Sequence, residues 1–393
     1  MFVTRQISPF SMMGNLRAKR RLTSSLKKRP KRERVSKPMI SLYDHSDSPR
    51  FHDPIELSEL INALPDLPLF NEDLPFDNRP FIIPLFKPAG ISSFDVIRKV
   101  RKKIISHLGK GKGRRKLKIG HFGTLDPFAE GILLVGTGKA MKLMSMIQDQ
   151  LPKSYCALGV IGIKTLTGDC EGEIIEKVEL SEKELSNIYR EIENTSSTLE
   201  GKYWQKPPYF SAVKHEGRPL YDYAREGIFI EKEAVEREIY SLNLLENPTT
   251  IKDEVLFECS VSNGTYIRTL WQDLLPHLRG AGHLKALKRS KIGNLNISQT
   301  ILPDDFIDRE DFYALSPVDI ISLETISFNL SEALDLLQGR SLIRINEGDQ
   351  GKEGPFWAYY GSHLLGIGLI KLLTDNRLEV KIDTLLFGLA KKD

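Results

Sequence analysis

The stretch Lys118-Ile-Gly-His121-Phe-Gly-Thr124-Leu-Asp126-Pro-Phe-Ala-Glu-Gly131-Ile-Leu-Leu-Val-Gly136-Thr-Gly138-Lys139 places a histidine, a threonine and an aspartate in a glycine-punctuated loop. The apolar run 132–135 behind it reads as a buried strand, a rigid base from which a reactive group can be presented. Pro127 fixes the turn immediately after Asp126. Aspartate before proline is also an ordinary turn former, so a capping role and a chemical one both fit these residues. The segment Gly136-Thr-Gly-Lys139 imitates a phosphate loop and fails as one. That motif needs glycine five residues before the Gly-Lys pair and Ser or Thr after the lysine, where Leu133 and Ala140 stand.

Around this loop the charge is uneven. The chain has 393 residues and a net charge of +4. Residues 1–38 carry twelve Lys/Arg and one acid, whereas residues 39–80 carry two bases and nine acids and are punctuated by proline. The excess positive charge therefore lies in the N-terminal tail, which should be disordered. It reads as a nucleic-acid-binding tail; an acid-poor mitochondrial transit peptide has the same composition. A short helix is expected at 55–64. From Arg98 to Lys118 there are eleven Lys/Arg and no acid, feeding directly into the Asp126 loop, which favours a polyanionic substrate. Cys156, Cys170 and Cys259 are too scattered for a zinc site or a disulfide framework, so no metal is expected and a reducing compartment is. No apolar run long enough to span a membrane occurs.

The remaining periodicities predict an α+β chain. A strand at 81–86 leads to Lys87-Pro-Ala-Gly90, and a capping box at Ser92 to Asp95 opens a helix at 94–106. Strands are expected at 155–163 and 173–178, with a helix opening at Ser181 between them and the aromatic stretch 204–209. Val255, Phe257, Cys259 and Val261 alternate as a half-buried strand, followed by a helix carrying Leu270, Leu274 and Leu278. Beyond Pro303, a short helix ending at Gly339 and strands at 342–345, 356–360, 364–370 and 378–382 predict a small β-barrel.

Taken in order, five blocks resemble the TruB family of tRNA pseudouridine synthases. They are Lys87-Pro-Ala-Gly90-Ile-Ser-Ser93; Gly120-His-Phe-Gly-Thr-Leu-Asp126-Pro with Gly136-Thr-Gly-Lys-Ala; Lys153-Ser-Tyr155 with 165–172; Gln205-Lys-Pro-Pro208 to Arg225; and Gly264-Thr-Tyr266-Ile-Arg268-Thr. The resemblance spans roughly residues 81–300. It implies a pseudouridine-synthase fold with a mixed, largely antiparallel sheet over 81–302, an N-terminal extension over 1–80, and a PUA-like RNA-binding domain over 303–393. It further implies isomerisation of uridine 55 in the tRNA T loop, with Asp126 as nucleophile and Arg268 as its cationic partner. His121, Tyr155, Tyr266 and Leu287 would receive the flipped nucleotide. Tyr155 on its own also fits a core position, and Leu287 precedes Lys288-Arg289-Ser290 where the family has Arg-Arg-Leu. No cofactor is implied, since the substrate carries both reacting ends. The implied partner is the T arm of tRNA, bound by a cytoplasmic monomer without an obligate protein partner. Two other readings share these residues: a guide-RNA-dependent pseudouridine synthase, and a non-catalytic RNA-binding or chaperone protein.

Overall fold

The computed structural model describes residues 81–107, 118–245, 253–308, 314–345, 353–361, 363–374 and 376–386. The N-terminal extension, the helix expected at 55–64 and the basic stretch 108–117 lie outside them. In chain order the elements are β1 (Phe81–Lys87), α1 (Ser93–His107), β2 (Ile119–His121), β3 (Glu130–Thr137), α2 (Met144–Gln150), β4 (Lys153–Ile161), β5 (Ile163–Thr165), β6 (Ile174–Lys177), α3 (Glu182–Leu199), β7 (Gly201–Gln205), β8 (Lys214–His215), β9 (Arg218–Pro219), α4 (Leu220–Arg225), β10 (Val235–Leu244), β11 (Glu254–Val261), α5 (Ile267–Asp273), β12 (Gly282–Ile292), β13 (Leu295–Asn296), α6 (Pro303–Asp308), β14 (Glu324–Ser327), α7 (Leu330–Leu337), β15 (Leu342–Ile345), β16 (Gly354–Tyr360), β17 (His363–Leu372) and β18 (Arg377–Leu385).

Nine of these strands form one sheet in the order β1-β3-β12-β4-β11-β10-β7, with β2 beside β3 and β13 beside β12. Every pairing is antiparallel except β12 with β3, so the fold is α+β with a mixed, largely antiparallel sheet. The unbroken apolar run of β3 has a direct cause. Ile132 and Leu134 enter one hydrophobic cluster and Leu133 and Val135 another, because successive side chains of a strand face opposite sides. Both sides are covered here. Strand β11 departs from the expected half-buried alternation: Glu254, Val255, Leu256 and Phe257 are all buried, with Glu254 ion-paired to Lys285. Helix α5 is also shorter than expected. It ends at Asp273 because Leu274 caps it and Pro276, which lacks an N–H, comes two residues later, leaving Leu278 outside.

Beyond Pro303 the chain first returns to the main sheet. Phe306 of α6 packs with Ile83 and Leu85, and Leu315 bridges Ile82. The second sheet begins only at β14, a strand that the sequence periodicity did not suggest. Its order is β14-β16-β17-β18-β15. Among the described residues β14 and β15 do not pair with each other, so the expected small barrel is an open half-barrel, into which α7 sends Ala333 and Leu336. Trp357, Leu364 and Ile367 share a cluster with Ile82, Phe122 and Ile132, which joins the two sheets through one core.

The loop carrying Asp126 is held by three side chains from distant parts of the chain. Lys87, fully buried at the end of β1, donates from Nζ to the carbonyls of Pro88 (3.0 Å), Ile91 (2.8 Å) and Pro127 (3.3 Å). Ser93 Oγ donates to the Leu125 carbonyl and accepts the Leu125 N–H, each at 2.9 Å. Arg289 of β12, also buried, donates Nε to Ile132 O (2.8 Å), Nη2 to Gly123 O (3.0 Å) and Nη1 to Thr124 O (3.4 Å). Buried cations of this kind must find acceptors, and here the acceptors are the carbonyls of the loop. Burial pulls the Lys87 ammonium down to about 8, against the opposing pull of Asp126 and Glu171.

Gly131 sits at φ 114°, and a Cβ there would stand 2.3 Å from the Arg289 carbonyl oxygen. Gly131→Ala is therefore expected to lose about 3 kcal/mol or more of stability, from backbone strain plus a clash with a backbone atom that cannot swing aside. Thermal and urea unfolding measure it, and a loss under about 1 kcal/mol would count against the tight β3–β12 approach. For Lys87, the folded pKa of about 8 lies below its ordinary 10.5, so the cost of burying charge weighs on the fold at and below pH 8 and is relieved as pH climbs to 10.5. Relative to Lys87→Met, the wild type should gain up to about 3 kcal/mol across that window. Urea titrations of both proteins at pH 7.5, 9 and 10.5 read the difference; a pH-independent gap would contradict it.

Candidate active site

Asp126 emerges from this braced loop with its side chain about one-third exposed, and Arg268 Nε lies 2.8 Å from its Oδ2 while only 4% exposed. The Nε–H does not align as a hydrogen bond, so the contact is chiefly ionic. What fixes the guanidinium is its other edge. Nη1 donates to Thr167 O (2.5 Å) and Nη2 to Phe210 O (2.9 Å), tying Arg268 to the turn after β5 and to the loop after β7.

Asp169 is a second carboxylate on the same arginine, its Oδ2 3.9 Å from Nη1. It is buried, accepts from Thr167 Oγ1 (2.6 Å) and from the Glu171 N–H (3.1 Å), and so is held by its own turn. Glu171 next to it is pushed above the usual carboxylate range by burial first and then by Asp169 and Asp126, with Lys87 opposing. Within the block 165–172 the sequence gives no sign of this anion. A buried aspartate in an Asx-type turn looks, in sequence, like any other turn aspartate.

Tyr266 precedes Arg268 by two residues and is gripped through its backbone by Gln205, whose Nε2 donates to Tyr266 O (3.0 Å) and whose Oε1 accepts the Tyr266 N–H (2.7 Å). Burial pushes the Tyr266 phenol up, with Arg268 and Asp126 among its charged neighbours. Tyr155 on β4 and Leu287 on β12 are both nearly buried and share a hydrophobic cluster with Leu125 and Ile267, the residues immediately before Asp126 and Arg268. Leu287 pairs with Ala157 and Tyr155 with Arg289, so the two side chains are diagonal neighbours on one face of the sheet. His121 stands apart from the ion pair, on β2 opposite Val135. Burial, and then Arg289, hold its imidazole below the ordinary range, and its buried Nδ1 has no hydrogen-bond partner.

A cavity of about 370 Å³ adjoins the site, with Arg268, Thr167, Pro208, Phe210, Lys206 and Lys232 in its wall; Asp126 does not line it. Among the described residues no group of three or more His, Cys, Asp or Glu is placed to hold a metal ion, and no helix is long and apolar enough to cross a membrane.

Residues 110–267 match the model of the TruB family pseudouridylate synthase N-terminal domain. Over 267 residues the chain is 34% identical to tRNA pseudouridine synthase B of Syntrophomonas wolfei, a match covering 66% of this chain and 83% of the relative. With tRNA pseudouridine synthase B of Aquifex aeolicus the identity is 34% over 303 residues, 75% of this chain and 97% of the relative. Among solved structures, a chain of a Cbf5-Nop10-Gar1 complex superposes with a TM-score of 0.54 at 20% identity, over 83% of this chain and 91% of that one, a likeness of fold. The ordered motifs, the sheet that carries them and these relatives agree: the chain belongs to the TruB family of pseudouridine synthases.

Proposed function

We propose that this protein converts uridine 55 in the T loop of tRNA to pseudouridine, as a single chain without guide RNA, metal or cofactor. The observation that carries the reading is the ion pair: a carboxylate open on one side to an incoming base, with a buried guanidinium 2.8 Å behind it. A carboxylate presented to the substrate and fixed from behind is placed as a nucleophile has to be. The relatives named tRNA pseudouridine synthase B match over most of their own length, which favours tRNA as substrate. The likeness to a protein of the Cbf5-Nop10-Gar1 complex is of fold alone and lends no weight to guide dependence.

In this reading the target uridine leaves its stack, at a cost of a few kcal/mol that binding must offset. Asp126 attacks at ring C6 or at sugar C1′. On either route the N1–C1′ bond breaks, the uracil turns, a C5–C1′ bond forms and the bond to Asp126 breaks, which returns the carboxylate; the C5 proton departs and N1 gains one, so the product is an isomer of the substrate. Arg268 holds the carboxylate in place, Tyr155 offers an aromatic face to the base, and Tyr266 and Leu287 line the pocket. His121, with an unpaired buried Nδ1, contacts the displaced nucleotide. The half-barrel after β14 serves as the PUA-like RNA-binding domain, fixed to the catalytic sheet by the shared core around Trp357.

Purified protein mixed with unmodified tRNA transcript should yield one pseudouridine, at position 55, with no other RNA present; absence of product, or product only with a guide, overturns the reading. Asp126→Asn keeps the side-chain shape and removes the nucleophilic charge, so it should bind tRNA normally while single-turnover product formation falls by at least about a thousandfold. Near-normal turnover in this variant would remove Asp126 from the role. Tyr155→Ala should weaken binding by roughly 1–3 kcal/mol and Tyr155→Phe should not, if the ring stacks on the base. Equal affinities for both variants and the wild type in filter binding would return Tyr155 to the core.

A further inference from the structure

Helix α1 buries one face and ties down another. Val96, Ile97, Val100 and Ile104 enter the core beside β1 and β3, while Lys99 pairs with Asp304 and Lys103 Nζ donates to Ile307 O (2.7 Å), fastening the helix to α6. The remaining surface carries Phe94, Arg98, Lys102 and Ser106, all exposed and spaced four residues apart, so that each neighbours the next along one ridge that winds slowly about the helix. Phe94 is 66% exposed, and the Arg98 guanidinium sits over its ring at 5.8 Å from the centroid, shared with Asp95. A lone exposed phenylalanine is ordinary on a protein surface. This one begins a row of cations, and it is rigidly placed. Its neighbour Ser93 makes the double hydrogen bond to Leu125, next to Asp126, and the capping box between Ser92 and Asp95 fixes the start of the helix.

We infer that the Phe94-Arg98-Lys102 stripe is an RNA-binding track beside the catalytic loop: Phe94 stacks on an unpaired base outside the reacting pocket, and Arg98 and Lys102 take the phosphates next along the strand. From Phe94 to Lys102 the helix rises about 12 Å, long enough to follow several nucleotides. An aromatic face interleaved with cations suits single-stranded nucleic acid, where the ring is indifferent to base identity and the cations neutralise the backbone. In sequence the stripe leads on to Lys110, Lys112, Arg114, Arg115 and Lys116, so the run of charge continues beyond the helix. The partner it fits is the polyanionic substrate itself, and the inference rests on the reading of this protein as an RNA-modifying enzyme.

Equilibrium binding of tRNA transcript at several salt concentrations tests it with the full-length chain. Phe94→Ala should weaken binding roughly 5- to 150-fold, the range for one stacked base, while Phe94→Tyr stays within about twofold of wild type. The double variant Arg98→Gln/Lys102→Gln should reduce the slope of log affinity against log salt by about one to two, for one or two lost phosphate contacts. Melting curves of all variants should match the wild type, since these side chains lie outside the core. Phe94→Ala binding tRNA as tightly as wild type, or an unchanged salt slope in the double variant, overturns the track, as does a wild type that binds no RNA. Pseudouridine formation by the wild type is scored separately: binding effects without product would sustain the track and remove the proposed activity, and product without binding effects would do the reverse.

Discussion

A guanidinium does not lose its proton inside a protein, so burying Arg268 obliges the fold to surround it with acceptors. Two are backbone carbonyls, of Thr167 and Phe210, and two are carboxylates, of Asp126 and Asp169. These four partners come from three separate segments, and each is itself pinned: Asp169 by its turn, Asp126 by the braced loop, Phe210 by its place after β7. Satisfying one buried cation thus draws together the pieces of the site. The arrangement is also vulnerable, because removing either anion would weaken the compensation of a charge that is only 4% exposed.

The loop opposite Arg268 is built on the same use of buried cations. Lys87 and Arg289 have carbonyl oxygens as their hydrogen-bond partners, three each, and between them they span Pro88 to Ile132. Hydrogen bonds from charged donors are stronger than neutral ones, which is how a glycine-containing loop becomes a stiff support. Stiffness would serve the chemistry proposed at Asp126, since a reacting group that wanders by an ångström forfeits much of its advantage. Burial first, and then Arg289, lowers the proton affinity of His121 on the neighbouring strand.

Rigidity extends to the C-terminal half-barrel. Trp357 buries its ring with Ile82 and Phe122 and donates Nε1–H to Ile321 O at 3.0 Å, so the second sheet shares core with the first.

Much of the fold was legible in local patterns. The capping boxes at Ser92 and Ser181, the two-faced apolar run of β3 and the left-handed Gly339 after α7 are short-range signals, because caps, strand periodicity and αL glycines depend on neighbours within a few residues. Ordered motifs also brought Asp126, Tyr155, Tyr266, Arg268 and Leu287 into view as a set. What composition and periodicity left unread were the supports: Lys87, Ser93, Asp169, Gln205 and Arg289 are polar residues whose burial and partners exist only once distant strands pair. The same reason explains β11, where strands on both sides and a covering layer bury positions that alternation alone assigned to solvent, and α6, whose Phe306 belongs to the core of β1 rather than to the half-barrel. By itself the sequence determined most of the elements and named the candidate site residues, since caps and periodicities are written in near neighbours and the ordered motifs in residue type. The tertiary structure alone decided which carboxylates meet Arg268 and what holds them there, because a buried charge chooses its partners by proximity in space.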